Sequence, residues 1–191
     1  MGGAGAKMSS AAVFLDRDGT INTAAIRDGK PYPPDSIDDL VIVPGASGAL
    51  LQLRRAGYLM VMVTNQPDVA TGRQGRAVVE AINEAIRGQL PIDDIRVCYH
   101  LDADACHCRK PKPGMLLDAA RDRGIDLSRS FIVGDRWRDV EAGRAAGCRT
   151  VLIEAGYEER RTVPDFSAQS LVDACDIILR VGASRRLSCG R

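Results

Sequence analysis

Several things are scarce in this chain of 191 residues. Aromatics make up 4%, with one Trp, three Phe and four Tyr. That leaves little surface for stacking on bases. No charge sign dominates, since 26 basic residues face 25 acidic ones for a net charge of +1. A basic excess of the kind that tracks a nucleic-acid backbone is therefore missing. No apolar run reaches the roughly 18 residues of a membrane span. The opening stretch, Met1 to Ser10, holds one charge and no apolar core, so it does not read as a secretory signal. Nucleic-acid and membrane partners are thus not expected, and a cytoplasmic setting with reduced thiols is.

Histidine is also rare, with two in the chain. Both lie within the eleven residues that also hold Cys98, Cys106 and Cys108, three of the six cysteines. Residues 1–10 read as a flexible leader, 11–181 as one domain and 182–191 as a small basic tail. Within the domain, short apolar runs alternate with helical patterns. The runs are Ala12–Leu15, Leu59–Val63, Ile95–Cys98, Phe131–Val133, Thr150–Ile153 and Asp176–Leu179. The helical stretches are 47–56, 77–90, 114–123 and 140–146, three of them followed by Gly57, Gly124 and Gly147. Strands alternating with helices predict an α/β fold, a Rossmann-like doubly wound parallel sheet. In such sheets the site lies beyond the carboxyl ends of the strands.

The residues found there carry chemistry. Asp16-Arg17-Asp18-Gly19-Thr20 follows the first run, Thr64-Asn65-Gln66 the second, and Gly134-Asp135 with Asp139 the fourth. Converging carboxylates repel unless a cation lies between them, and an all-oxygen set suits Mg²⁺. Asp16 and Asp18, two apart on a loop, can take different tasks. One faces the metal and attacks, and the other faces a leaving group.

Phe14-Leu-Asp16-Arg-Asp18-Gly-Thr20, Val63-Thr64-Asn65-Gln66, Lys110 and Ile132-Val133-Gly134-Asp135 together resemble the four motifs of the haloacid dehalogenase (HAD) superfamily. The resemblance runs from about residue 12 to 154. It implies Asp16 as nucleophile, Asp18 as acid and base, and Thr64 and Lys110 as holders of the phosphoryl oxygens. It also implies Mg²⁺ bound by Asp16, Asp135 and the main-chain carbonyl of Asp18. Thr20, Asn65, Gln66 and Arg109 are the further substrate-binding candidates beside Lys110.

Cys98-Tyr-His100 and Cys106-His-Cys108 supply a Cys₃His set for a structural Zn²⁺, in a zinc-binding loop over 98–108. His107 lies between two ligands and is the reserve should His100 not serve. The whole combination resembles the D-glycero-D-manno-heptose-1,7-bisphosphate 7-phosphatases and their relatives, the histidinol-phosphatases. The resemblance implies a small phosphorylated sugar as substrate and carbohydrate metabolism leading to heptose as context. A monomer is expected. Histidinol phosphate is the alternative substrate, and a non-catalytic zinc-stabilised binding module is the alternative outside enzymes. The spacing from Asp16 to Thr64 to Lys110 leaves no room for a large cap domain. Substrate choice then falls to 22–39, 67–74 and the zinc loop.

Overall fold

A computed structural model describes residues 10–27, 30–156 and 162–188. The first strand, β1 (Ala12–Leu15), is buried throughout. A short hairpin, β2 (Ala25–Arg27) and β3 (Lys30–Tyr32), pairs antiparallel apart from the main sheet. Then come α1 (Ala46–Arg55), β4 (Leu59–Asn65), α2 (Arg76–Gln89) and β5 (Asp94–Cys98). The remaining elements are α3 (Gly114–Arg123), β6 (Phe131–Gly134), α4 (Trp137–Ala146), β7 (Arg149–Ile153), β8 (Phe166–Ala168) and α5 (Leu171–Ser188).

The main sheet has the order β5-β4-β1-β6-β7-β8, parallel throughout. Alternation along β1 divides the core in two. Val13 and Leu15 face a cluster with Leu50, Leu53, Ile82, Ile86 and Ile178, from α1, α2 and α5. Ala12 and Phe14 face one with Leu116, Ala119 and Ala142, from α3 and α4. Strands buried on both faces read as continuous apolar runs, which is why β1, β4 and β6 were visible in the sequence. The chain runs outward in one direction from β1 through β4 to β5, and in the other from β6 through β7 to β8. The crevice between β1 and β6 is therefore the switch point where ligands bind in such sheets.

Two expectations are corrected. Asp176–Leu179 is not a strand but part of α5, whose buried residues Leu171, Ala174, Cys175 and Ile178 follow the helical spacing i, i+3, i+4, i+7. The sixth strand is β8 instead, three residues at the sheet edge. The second concerns the ends. α5 continues through the stretch expected as a tail from 182 as far as Ser188, with Gly182 so close to Tyr58 that a Cβ would lie 2.4 Å from its hydroxyl. Ser10, expected in the leader, is already tied to the domain. Its N–H donates to the Gly124 carbonyl at 3.2 Å, and its carbonyl accepts from Asp126 N–H at 2.9 Å. The rest of the leader, and Cys189 with the last residues of the tail, lie outside the described residues. No described helix is long and apolar enough to cross a membrane.

Candidate active site

The loop after β1 starts the site. The Asp16 N–H donates to the Val133 carbonyl of β6 at 2.9 Å, so the loop leaves the sheet at the switch point. Gly19 takes φ +86, a left-handed turn that side chains resist, and its N–H donates to the Asn22 carbonyl at 2.8 Å. That turn folds Asp18 back beside Asp16. Asp16, Thr20, Thr64, Gln66, Lys110, Asp135 and Asp139 are all buried here, gathered from the ends of β1, β4 and β6, the segment before α3 and the first turn of α4.

Lys110 crosses the centre. Its ammonium donates to Asp16 Oδ1 at 2.7 Å, to Asp139 Oδ1 at 2.5 Å and to the Val63 carbonyl at 2.9 Å. Those three bonds use all three ammonium donors. The two carboxylates hold the ammonium charged, raising its affinity for a proton against the desolvation that would lower it. The Asp16 carboxylate accepts on Oδ1 from both Lys110 and the Arg17 N–H, the latter at 2.8 Å. Asp139 reaches the site because β6 ends in Gly134, where a Cβ would come 2.3 Å from Asp139 Cγ. Its Oδ2 also accepts from the Arg136 N–H at 3.2 Å.

The donor set fits a hard divalent cation. Carboxylate oxygens of Asp16, Asp135 and Asp139 lie within 4.8 Å of one another. Burial, and then Asp139, push Asp16 up to about 7 from 3.8, with Lys110 pulling the other way. A cation among these oxygens is what keeps such a carboxylate ionised at neutral pH. Asp139 already accepts on both oxygens, Oδ1 from Lys110 and Oδ2 from the Arg136 N–H, and all three aspartates could take part in holding the cation.

Other expected residues serve their neighbours. The Asn65 amide donates to the Lys110 carbonyl at 3.0 Å and accepts from the Lys110 N–H at 3.1 Å, clamping that backbone rather than facing a ligand. Gln66 Nε2 donates to Asp18 Oδ2 and to Thr64 Oγ1, both at 2.8 Å. The Thr20 hydroxyl is buried and finds no hydrogen-bond partner among the described residues. Arg109 donates to Asp102 Oδ1 at 2.7 Å and to the His100 carbonyl at 3.1 Å. Asp102 also accepts from Arg138 at 3.1 Å, a rim pair that the sequence did not suggest. Arg17 is the other omission. It is fully buried and forks onto Asp18, and only its place between two motif aspartates hinted at it.

The zinc-loop residues converge. The sulfur atoms of Cys98, Cys106 and Cys108 are 3.3 to 3.8 Å apart, and His100 Nδ1 lies 3.6 Å from Cys98 and 3.4 Å from Cys108. A tetrahedron with Zn–S bonds of about 2.3 Å has S···S edges of about 3.8 Å and S···N edges near 3.5 Å. The four donors thus fit a closed zinc site. Without a cation, burial pushes the Cys98 thiol up to about 12. His107 points elsewhere, with Nε2 2.8 Å from Asp118 Oδ2 on α3, so of the two histidines His100 is the one with the sulfurs.

Known proteins resemble this chain in sequence and in fold. A model of HAD-like hydrolases matches residues 107–174. A D-glycero-beta-D-manno-heptose-1,7-bisphosphate 7-phosphatase of Pseudomonas aeruginosa is 37% identical over 156 residues, 78% of this chain and 84% of that protein. The chain belongs to the HAD-like phosphatases. The enzyme of the same description from Pasteurella multocida is 37% identical over 87% of this chain and 96% of its own. Among solved structures, the D,D-heptose 1.7-bisphosphate phosphatase of B. bronchiseptica, complexed with magnesium and phosphate, superposes with a TM-score of 0.73 at 30% identity. That match covers 90% of this chain and 99% of the other. A HAD-like phosphatase is an enzyme, so the non-catalytic binding module is set aside.

Proposed function

We propose that this phosphatase removes the C7 phosphate of D-glycero-D-manno-heptose 1,7-bisphosphate, in the cytoplasm, with Mg²⁺ in the site and Zn²⁺ in the loop. The observation that carries the reading is the Asp16–Lys110–Asp139 centre at the switch point, in a chain that spans 84% and 96% of two relatives bearing that activity in their names.

Asp16 attacks phosphorus and the bond to the sugar oxygen breaks, leaving the phosphoryl group on the Asp16 carboxylate. Asp18 gives its proton to the departing alkoxide. A water then attacks the phosphorylated Asp16, Asp18 takes the proton, and inorganic phosphate leaves with Asp16 restored. Thr64 offers its hydroxyl, and Lys110 its positive charge, to the phosphoryl oxygens, where transition-state charge is spread. Asn65 and Gln66 act through others, fixing the Lys110 backbone and the pair Thr64 and Asp18. Arg109, at the rim, offers a planar fork to the sugar or its other phosphate. The side chains of Asp16 and Asp135 and the Asp18 carbonyl would hold Mg²⁺, which when bound would neutralise charge between carboxylate and phosphate. Zn²⁺ on Cys98, His100, Cys106 and Cys108 fixes the loop that carries Arg109 and Lys110.

A panel of heptose 1,7-bisphosphate anomers, histidinol phosphate and common sugar monophosphates, compared by kcat/KM with Mg²⁺ present, tests the substrate. The heptose bisphosphate should lead by at least about tenfold, which is about 1.4 kcal/mol of transition-state binding. A lead for histidinol phosphate overturns the assignment in favour of that alternative.

A further inference from the structure

Arg17 sits between the two motif aspartates, yet its side chain has no exposed surface. A buried guanidinium is retained only where its donors are matched. Here Nε lies 3.1 and 3.2 Å from the two oxygens of Asp18, and Nη2 lies 3.0 Å from Oδ2. On the far side Nη1 donates to Asn83 Oδ1 at 2.9 Å. Asn83 belongs to the buried face of α2, beside Val79, Ile82 and Ile86, and is 3% exposed. A polar side chain in that apolar stripe needs a partner, and among the described residues Arg17 supplies it. The Asp18 carboxylate, with 17% of its side chain exposed, accepts in addition from Asn22 Nδ2 at 3.1 Å and Gln66 Nε2 at 2.8 Å.

The geometry points to Arg17, anchored by Asn83, as a positioning residue that fixes the carboxylate plane of Asp18 toward the leaving oxygen. This rests on the acid role given to Asp18 under the proposed function. Asn22 and Gln66 each hold one oxygen by a single bond and cannot set the plane alone. The fork reaches both oxygens and so fixes rotation about the last side-chain bond. Its anchor is on a helix of the core, not on a loop, so the aim does not depend on the rim loops. The Arg17 main chain donates to Asp16, but the Arg17 and Asn83 side chains act through Asp18.

Leaving-group dependence separates aim from mere structural support. A sugar alkoxide must be protonated as it leaves, whereas 4-nitrophenolate leaves unaided. For a reaction through a phosphorylated aspartate, kcat/KM reports binding and the first transfer only. Asp18→Asn, the reference, should lose about 10²–10⁴-fold on the sugar phosphate and far less on 4-nitrophenyl phosphate. Asn83→Leu and Arg17→Lys should show the same pattern at smaller size. The expected loss is about 10- to 100-fold on the sugar phosphate, the scale of a misplaced catalytic group, and within about threefold on the aryl ester. Thermal unfolding checks that both variants fold, and Asn83→Leu keeps an apolar helix face should Arg17→Lys fail.

If Asp18→Asn discriminates between the esters while Asn83→Leu and Arg17→Lys lose both equally, or neither, the clamp is overturned alone. If Asp18→Asn loses both equally, no acid acts there, and the clamp falls with the proposed mechanism. Should the wild type prefer another alkyl phosphate, that ester replaces the heptose compound and the test stands.

Discussion

Replacing Lys110 by methionine keeps the length and bulk of the side chain and removes its charge. The ammonium is 3% exposed and pairs with Asp16 at 2.7 Å and Asp139 at 2.5 Å. The variant leaves two buried carboxylates and the Val63 carbonyl facing a thioether. Removing one partner of a buried ion pair costs about 3–5 kcal/mol, because the remaining charge stays desolvated. In a domain of this size each kcal/mol moves the midpoint by about 2–4 °C. Lys110→Met should therefore melt roughly 6–20 °C below the wild type in chelator, where no cation can stand in. Adding Asp139→Asn removes one stranded charge. The double variant should recover part of the loss, with a coupling of about 1–3 kcal/mol between the sites. Saturating Mg²⁺ should narrow the gap, since a ligand of the folded state stabilises it by mass action. Differential scanning calorimetry with chelator and with Mg²⁺ reads all three quantities. A Lys110→Met midpoint within about 2 °C of wild type, or strict additivity in the double variant, refutes the electrostatic account of the centre.

The pH dependence of the metal-free protein carries the signature of Asp16. Its folded value of about 7 stands above the ordinary 3.8, raised first by burial and then by Asp139. The folded chain therefore binds this proton more tightly, and the stability it contributes is present below about pH 4 and is lost as pH climbs through about 7. In chelator the wild-type midpoint should fall from pH 5 to pH 8 more steeply than that of Asp16→Asn; equal slopes contradict the assignment. Reduced protein purified without chelator should hold one zinc per chain by elemental analysis, and Cys106→Ser should lose it together with amide-exchange protection over 98–108. Zinc-free wild type with that loop still protected rules the site out.

The candidate site was legible because the strands that lead into it are almost wholly buried. β1, β4 and β6 read as unbroken apolar runs, so the first polar residues after them, Asp16, Thr64 and Asp135, marked the switch point directly. The cysteine spacing was legible for a similar reason, since two short arms with ligands at i and i+2 bring four donors to one place. Asp176–Leu179 misled because an aspartate followed by three apolar residues, two of them isoleucines, looks alike in a strand and in a helix. Only the helical spacing of apolar residues from Leu171 onward separates them. β8, three residues at an edge, carries too little pattern to see. Asn65 and Gln66 were identified as members of the site, but sequence could not show that their amides face Lys110, Thr64 and Asp18 instead of a substrate. Arg17 was hidden for the opposite reason to β1. A charged residue in a charged motif reads as solvated, and its burial depends on Asn83, 66 positions away.

The central claim is that Asp16 is the nucleophile of a Mg²⁺-dependent phosphatase. Phosphate release by wild type and Asp16→Asn, on the preferred sugar phosphate with Mg²⁺ and again in chelator, tests it most directly. The account predicts turnover by the wild type with Mg²⁺ alone, and none above background for Asp16→Asn in either condition. Undiminished turnover by Asp16→Asn would contradict it.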